Sequence, residues 1–243
     1  MLWWCRHIPE VAAISLHDYS DESFRDMLVP YTVWSRVGEM VGRSMPFILG
    51  EFGPPTSCNS CYCMDGETMA LWVPQKTLAV VAAGGYATAF WLFSEFTHGG
   101  CFGGAMVDFF DNHTDACQPV YYSYGLLARF FRGPADSYAL IRDVTNASNI
   151  PVACVRQHDS GLWSVAALNM DHTNPLSLTL ELPAAAKLIS LYRFTYTYGD
   201  ANKGVVSNCS LPLPAKEKVT VGSNSVLVDT VAPRTLVVYS EYL

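Results

Sequence analysis

The sequence predicts an α/β region followed by an all-β region. Up to about Gly133, apolar strands alternate with segments of helical periodicity, which is the pattern of a parallel sheet with outer helices. From about Pro134 onward, helix signals are lacking, and short stretches of β-branched and aromatic residues are separated by turns such as "HDSG" and "YGDANKG". This second pattern is typical of an antiparallel sandwich.

Three strand–helix pairs make up the α/β region. The strand "VAAISLHDY" precedes the helix "SDESFRDMLVPYTVWSRVGEMVG", in which Ser20 and the acidic pair after it predict the cap, and Pro30 predicts a kink or a division. The strand "PFILGEF" precedes the helix "PQKTLAVVAAGG". The strand "ATAFWLFSEF" precedes the helix "PVYYSYGLLARFFRG", which ends at Gly133. Because the strands carry few polar residues, we expect both faces of their sheet to be covered.

Eight short strands are predicted in the all-β region. Their sequences are "SYALIRDV", "VACVRQ", "LWSVAALNM", "LSLTLEL", "LISLYRFTYTY", "KVTVG", "SVLVDTV" and "RTLVVYSEY". Such residues favour extended backbone on a half-buried sheet. We expect this region to support the α/β region rather than to bind sugar, because no stripe of aromatic residues marks it.

One uncharged run, Thr77–Ser94, has borderline length for a membrane span. Gly84 and Gly85 interrupt it, the first half is rich in Ala and Val, and the second half, "YATAFWLF", is aromatic. A helix followed by a buried strand explains both halves, so a membrane span is the less favoured interpretation.

The overall charge bears on the class of partner. The chain has 243 residues and a formal charge of −7, without a basic cluster. These properties argue against a nucleic-acid surface and are compatible with neutral sugars.

Three sequons and eight cysteines favour an oxidising compartment, which is extracellular or in the secretory or lysosomal pathway. The sequons are at Asn112, Asn146 and Asn208, and we expect these residues to be glycosylated. The first residues, "MLWWCRHIPEVAAISLHDYS", do not form a signal peptide, because charged residues and a proline interrupt the apolar stretch. We therefore expect the sequence to begin within a longer secreted protein.

The ends of the three predicted parallel strands carry side chains that suit a sugar site. Glu51 follows "FILG" directly, between Gly50 and Gly53, which we expect to leave room for a ligand. His17 and Tyr19 alternate at the end of the first strand, and Trp91 lies in the third. The carboxyl ends of parallel strands are where enzymes of this architecture place their chemistry. Each residue alone also has a structural interpretation, as a loop cap, a buried histidine or a core aromatic.

The order "LHDY", "ILGEFG", "FWLFSE" and "YYSYGLLARFFRG", followed by "WSVAALNMD", resembles the last three β/α units of clan-A glycoside hydrolases. It is most similar to the cellulase-like family 5, for "H-x-Y" and "GEFG", and also to family 39, for its third strand and appended sandwich. The resemblance implies a partial (β/α)8 TIM barrel over residues 1–133 and a β-sandwich over residues 134–243. Its motifs are short, and "GEFG" is the most specific.

The resemblance also implies roles for the strand-end residues. Glu51 corresponds to the nucleophile of a retaining hydrolase, which acts on O-glycosidic bonds of a poly- or oligosaccharide or a glycoconjugate. His17 and Tyr19 correspond to residues that orient the nucleophile and bind substrate, and Trp91 to the aromatic floor of the adjacent subsite. The implied reaction needs neither a cofactor nor a metal.

The second carboxylic acid of that reaction is not identified. The family carries it in an Asn-Glu pair after the fourth strand, and this sequence contains no such pair. A complete barrel takes about 250 residues, but only 133 residues precede the predicted sandwich. We therefore expect the chain to be the C-terminal portion of an enzyme and to be inactive by itself. Glu95, Asp108 and Asp111 are alternative acids, but nothing in the sequence favours them.

The cysteines allow two interpretations. The cluster "CNSCYC" contains Cys58, Cys61 and Cys63, and disulfides among these residues, Cys101 and Cys117 would brace the loops above the sheet. A zinc site would need a second ligand pair, such as Cys101 with His98 or His113. Disulfides are the simpler interpretation.

Three functions therefore compete at this point. The first is a glycoside hydrolase of which the chain holds the nucleophile. The second is a non-catalytic carbohydrate-binding protein or pseudoenzyme that lacks the acid. The third is a membrane-anchored surface protein that uses Thr77–Ser94 as its span.

Overall fold

The computed structural model describes residues 7–8, 10–20, 22–53, 65–90, 94–95, 107–108, 117–138, 150–182, 190–200, 217–222 and 225–242, with only the backbone of 94–95 and 107–108. The chain combines helices with one three-stranded parallel sheet, two antiparallel sheets and a short parallel pair. No closed barrel is formed by these residues.

The parallel sheet contains the three strands that the sequence predicts. They are β1 (Ile14–Asp18), β2 (Phe47–Phe52) and β3 (Ala87–Phe90), in the order β1-β2-β3. The helices α1 (Phe24–Ser35) and α2 (Val37–Val41) connect β1 to β2, α3 (Gly66–Ala82) lies between β2 and β3, and α4 (Pro119–Phe130) follows. Two short strands, β4 (Ser94–Glu95) and β5 (Val107–Asp108), pair in parallel beyond β3.

The first helical segment differs from the prediction in its cap and in its division. Ser23, not Ser20, caps α1 and accepts a hydrogen bond from the Asp26 amide. Ser20 precedes the helix start: its amide donates to Asp18 Oδ1 just after β1, and α1 begins only at Phe24. Pro30 lies inside α1, and the helix instead breaks at Arg36, where φ is −94° and ψ is 1°.

Helix α3 begins earlier than predicted, because Asp65 caps it by accepting a hydrogen bond of 2.8 Å from the Thr68 amide. The helix is buried around nearly its whole circumference from Met69 to Val80, since it lies between α1, α4, β3 and the antiparallel strands. A helix in such a place is expected to be mostly apolar, as α3 is apart from Gln75, Lys76 and Thr77 in this stretch. The run Thr77–Ser94 thus contains a buried helix end, a glycine turn and β3, and none of the described helices has the length and hydropathy of a membrane span.

Eight antiparallel strands follow residue 133 within the described ranges. They are β6 (Ala135–Tyr138), β7 (Val152–Gln157), β8 (Trp163–Asn169), β9 (Leu176–Glu181), β10 (Ser190–Thr197), β11 (Glu217–Thr220), β12 (Val226–Val231) and β13 (Thr235–Ser240). Seven lie within the predicted segments, apart from Glu217 at the start of β11, whereas the first, β6, shares only Ser137 and Tyr138 with its predicted segment, the rest of which lies outside those ranges. Six form one sheet in the order β11-β10-β13-β8-β7-β6, and β9 pairs with β12 in another.

The six-stranded sheet is buried on both faces. Strand alternation sends Val165 and Val237 to one side, where they pack with Leu178 and Leu227 of the two-stranded sheet. The opposite side carries side chains such as Leu168, which join α3, α4 and β2 in one core. The α/β residues and the antiparallel residues therefore share a core, and a domain boundary at residue 133 stays a prediction.

The parallel sheet is covered on one face only within the described ranges. Its helix-facing side carries Phe47 and Leu49, which are fully buried. The other side carries Ser15, His17 and Ala87, which are exposed. The expectation that both faces are covered is therefore wrong for this part of the chain, because the sheet does not close upon itself and helices lie on one side.

Candidate functional site

Glu51 meets His17 and Tyr19 at the carboxyl end of the parallel sheet. The Tyr19 hydroxyl donates a hydrogen bond to Glu51 Oε1. His17 Nδ1 lies 3.7 Å from Glu51 Oε2, which is too long for a hydrogen bond but short enough for an ion pair when the imidazole is protonated. The structure thus brings together three of the four residues that the sequence predicts for substrate chemistry.

A β-bulge places the Glu51 carboxylate on the exposed face of the sheet. Leu16 lies opposite Leu49, but the next residue, His17, lies opposite Glu51, so Gly50 is an extra residue in β2. Phe47 and Leu49 point into the core, and without the extra residue Glu51 would follow them there. The bulge gives that core position to Phe52 instead and turns Glu51 outward.

The glycine before Glu51 lies against the neighbouring strand. A Cβ atom at Gly50 would collide with the Ser15 hydroxyl on β1. The missing side chain therefore lets β2 lie close to β1 at the bulge. The expectation that Gly50 also leaves room for a ligand stays a prediction.

The two carboxylate oxygens of Glu51 have different neighbours. Burial raises the pKa of Tyr19, and the hydrogen bond to Glu51 raises it further, so the phenol stays protonated and donates. The carboxylate is accessible, with its side chain 26% exposed, and His17 is 61% exposed. One oxygen is therefore held by a phenol, and the other lies beside an exposed imidazole. Such a fixed, accessible carboxylate can act as a nucleophile.

Aromatic side chains pack behind the site. The Phe52 ring contacts the Phe90 ring edge-on at 5.5 Å between centroids and lies 6.4 Å from Trp72. Phe90 in turn packs against Tyr124, whose hydroxyl is near Thr88. This packing fixes the carboxyl ends of β2 and β3 from the core side.

Several predicted residues lie outside the described part of the chain. They are Trp91, Asp111, the cysteines Cys58, Cys61, Cys63 and Cys101, and the sequon residues Asn112, Asn146 and Asn208. Their roles stay predictions, and the side chains of the alternative acids Glu95 and Asp108 are likewise not described.

Cys117 is the one described residue of the predicted disulfide set. It is buried and disulfide-bonded, and its partner is outside the described ranges, so the pairing stays a prediction. The alternative zinc ligands Cys101, His98 and His113 also lie outside them. Over the ranges that are described, no group of three or more His, Cys, Asp and Glu side chains is placed to hold a metal ion.

A second concave surface lies at the other end of the parallel sheet. Its lining includes Ser35, Glu39, Met45 and Tyr86, near the start of β2 and β3. Because Glu51 is at the opposite end of β2, this groove is separate from the carboxylate.

Sequence reasoning missed Asp18, Tyr31 and Lys76, which form a buried polar cluster next to the site. The Lys76 ammonium lies 2.9 Å from Asp18 Oδ1, and the Tyr31 hydroxyl donates to Asp18 Oδ2. One signal was available, since Lys76 is the only charged residue in the otherwise apolar stretch "LWVPQKTLAVVAA". A lysine in such a run needs a buried partner.

Comparisons with known proteins identify the fold. No family model and no curated protein matches the chain. A GH30 endoxylanase structure from Clostridium papyrosolvens C71 matches with a TM-score of 0.58 and 11% identity, over 94% of this chain and 48% of that one. An α-L-arabinofuranosidase from Thermotoga maritima matches with a TM-score of 0.59 and 14% identity, over 96% and 53%. A GH44 endoglucanase from Clostridium acetobutylium matches with a TM-score of 0.54 and 8% identity, over 86% of this chain and 35% of that one.

These identities are low, so the matches establish a shared fold and not a shared activity. The chain spans about half the length of the endoxylanase and the arabinofuranosidase, and less of the endoglucanase. The sequence-based resemblance to a portion of a clan-A glycoside hydrolase is confirmed at the level of fold.

Proposed function

We propose that the chain is the nucleophile-bearing C-terminal portion of a retaining glycoside hydrolase and that Glu51 is the nucleophile. The observation that carries the proposal is the Glu51 carboxylate at the end of β2, held by Tyr19 and facing outward beside His17. The shared fold supports it, because glycoside hydrolases of several families match most of the chain. We also propose that β1–β3 are the last three strands of a (β/α)8 barrel and that the antiparallel sheets form its appended sandwich.

Each residue has a defined part in the proposed reaction. Glu51 attacks the anomeric carbon, so that a carbon–oxygen bond to the enzyme forms while the bond to the leaving oxygen breaks. Tyr19 holds one carboxylate oxygen and so orients the other toward the sugar. His17 and Trp91 contact the sugar, Trp91 through its flat apolar face. Water then cleaves the glycosyl-enzyme.

The leaving oxygen of a natural substrate must receive a proton from a second carboxylic acid, about 5 Å from the nucleophile in retaining enzymes. Within the described residues, the Glu51 side chain has a hydrogen bond with Tyr19 and an ion-pair contact with His17, and neither partner is a carboxylic acid. We propose that the acid comes from the part of the barrel that this chain does not span. The chain alone then has a nucleophile but does not turn over a natural glycoside.

The proposed substrate is a poly- or oligosaccharide or a glycoconjugate. The xylanase, arabinofuranosidase and endoglucanase among the structural matches make the corresponding sugars the first to test. The sequons and cysteines support an extracellular, secretory or lysosomal location as part of the proposal.

An activated substrate tests the nucleophile without the missing acid. Dinitrophenolate leaves without a proton, and a fluorine at sugar C2 slows hydrolysis of the covalent intermediate. We expect dinitrophenyl 2-deoxy-2-fluoro glycosides of β-xylose or β-glucose, or the α-L-arabinofuranoside, to give a burst of up to one equivalent of dinitrophenolate. The Glu51→Gln variant, with nearly the same shape, should give none. An equal release from both proteins contradicts the proposal, and saturable sugar binding without a burst favours a non-catalytic carbohydrate-binding protein.

A further inference from the structure

A buried ion pair lies directly behind the Glu51 site. The Lys76 side chain is 0% exposed and that of Asp18 is 16% exposed. The ammonium of Lys76 also donates to the main-chain carbonyl oxygen of Asp18 at 3.1 Å. Lys76 therefore holds both the side chain and the backbone of the last residue of β1.

Two further donors fix the Asp18 carboxylate. The Ser20 amide donates to Oδ1 at 2.8 Å, and the Tyr31 hydroxyl of α1 donates to Oδ2. Burial raises the pKa of Asp18, but hydrogen bonds from Ser20, Tyr31 and Lys76 outweigh it and hold the pKa below its usual value. The carboxylate is therefore charged at neutral pH and is bound by α1, by α3 and by the chain after β1.

Asp18 lies between the two residues that contact Glu51. His17 precedes it and Tyr19 follows it, and side chains alternate between the two sides of a strand end. Asp18 accordingly points to the helices, while His17 and Tyr19 point to the Glu51 carboxylate. Any movement of the backbone at Asp18 displaces both of these contacts.

Stability alone gives no reason for the pair. Removing two charges from water is costly, and apolar residues of similar volume often replace a buried ion pair with little loss of stability. A lysine that bonds to a carboxylate and to the adjoining main-chain carbonyl, however, fixes the strand end in one place, which an apolar contact does not do.

We propose that Lys76 and Asp18 are positioning residues: their buried ion pair fixes the end of β1 so that Tyr19 and His17 meet the Glu51 carboxylate. The inference rests on the proposed function for its catalytic meaning. The geometric part can be tested separately, because the Tyr19–Glu51 hydrogen bond can be observed without any sugar.

The test uses the full chain labelled with ¹³C at tyrosine Cζ. The Tyr19 resonance is assigned by its loss in Tyr19→Phe. The change in its ¹³C chemical shift on acidification is then measured in the wild type and in Glu51→Gln, which has no carboxylate at position 51. We expect the acid-linked shift in the wild type to fall at least twofold in Lys76→Met. Tyr239 lies in the core between the two antiparallel sheets, so an unchanged chemical shift of its resonance should show that the fold is intact.

A double variant covers the case in which Lys76→Met does not fold because Asp18 is left as an unpaired buried charge. Asp18→Asn with Lys76→Met removes both charges together, and we expect the same twofold loss of the Tyr19 shift. A folded variant of either kind with the full wild-type shift overturns the inference.

A second measurement separates this inference from the proposed function. If Glu51 is the nucleophile, the rate of the dinitrophenolate burst should fall about tenfold in either variant, with its amplitude unchanged. An unchanged rate overturns the positioning role. A wild-type chain that shows the Tyr19 shift but no burst overturns the proposed function and leaves the geometric anchor standing.

Discussion

Removing one buried hydroxyl should show that the antiparallel sheet holds α3 in place. The Tyr196 side chain on β10 is fully buried and donates a hydrogen bond of 2.8 Å to Glu67 Oε2 near the start of α3. Glu67 is itself only 2% exposed. Tyr196→Phe removes this hydrogen bond and changes no other atom.

The expected loss follows from burial and charge. A hydrogen bond to a charged group contributes about 1.5–3 kcal/mol, and a buried acceptor cannot recover it from water. We therefore expect Tyr196→Phe to lower the free energy of unfolding by about 2 kcal/mol. With a dependence on urea of about 2 kcal/mol per molar, the midpoint should fall by about 1 M.

Urea denaturation followed by far-ultraviolet circular dichroism measures this change. Tyr198→Phe is a matched control, because its hydroxyl lies 3.5 Å from Asp65 Oδ1 at an exposed position, so that water replaces the contact. We expect the control to change stability by less than about 0.5 kcal/mol. Equal midpoints for wild type and Tyr196→Phe, or equal losses in both variants, would refute the reasoning that this buried bond joins the sheet to α3.

Three further predictions concern other parts of the chain. Gly85→Ala should destabilise the protein by about 1–3 kcal/mol, because its Cβ would lie 2.9 Å from the Val80 carbonyl oxygen and against a Val80 methyl group; an unchanged thermal midpoint would contradict this. The Asp171 carboxylate accepts backbone hydrogen bonds from Asn174 and Thr173, which lower its pKa from 3.8 to about 2. As the pH falls, the unfolded chain therefore binds the proton before the folded chain does, so the contribution of Asp171 to folding stability is complete above about pH 4 and is lost toward pH 2. Between about pH 4 and pH 2, the urea midpoint should therefore fall less steeply for Asp171→Asn than for the wild type, and parallel curves of midpoint against pH would contradict this. Burial raises the pKa of the Cys154 thiol to about 12, so it should react with a thiol reagent at pH 8 only after unfolding; mass spectrometry of the native protein showing rapid modification at Cys154 would contradict this.

The sequence correctly predicts those features of the strands and of the candidate site that depend on neighbouring residues. The segment "FILGEF" forms β2 at the expected residues, and Pro119 begins α4 as a first-turn proline does. The alternation of His17 and Tyr19 correctly predicts that both lie on the side of Glu51. These features depend on neighbouring residues and on the period of the strand.

Features that depend on distant contacts could not be predicted. The bulge at Gly50 arises where β2 must pass the Ser15 hydroxyl of another strand, which no local pattern shows. The apolar run around Lys76 indicates that this lysine needs a buried partner, but the sequence does not show that the partner is Asp18 at the end of β1. Coverage of only one face of the parallel sheet is likewise a property of the assembled elements and not of any one strand.

The proposal that Glu51 is the nucleophile is tested most directly by identifying the residue that carries the sugar after reaction with an activated fluoro-glycoside. The adduct is digested and its peptides are sequenced by tandem mass spectrometry. We expect a single modified carboxylate, that of Glu51, and no adduct in Glu51→Gln. A sugar attached at another residue, or an adduct that persists in Glu51→Gln, would contradict the assignment of the nucleophile.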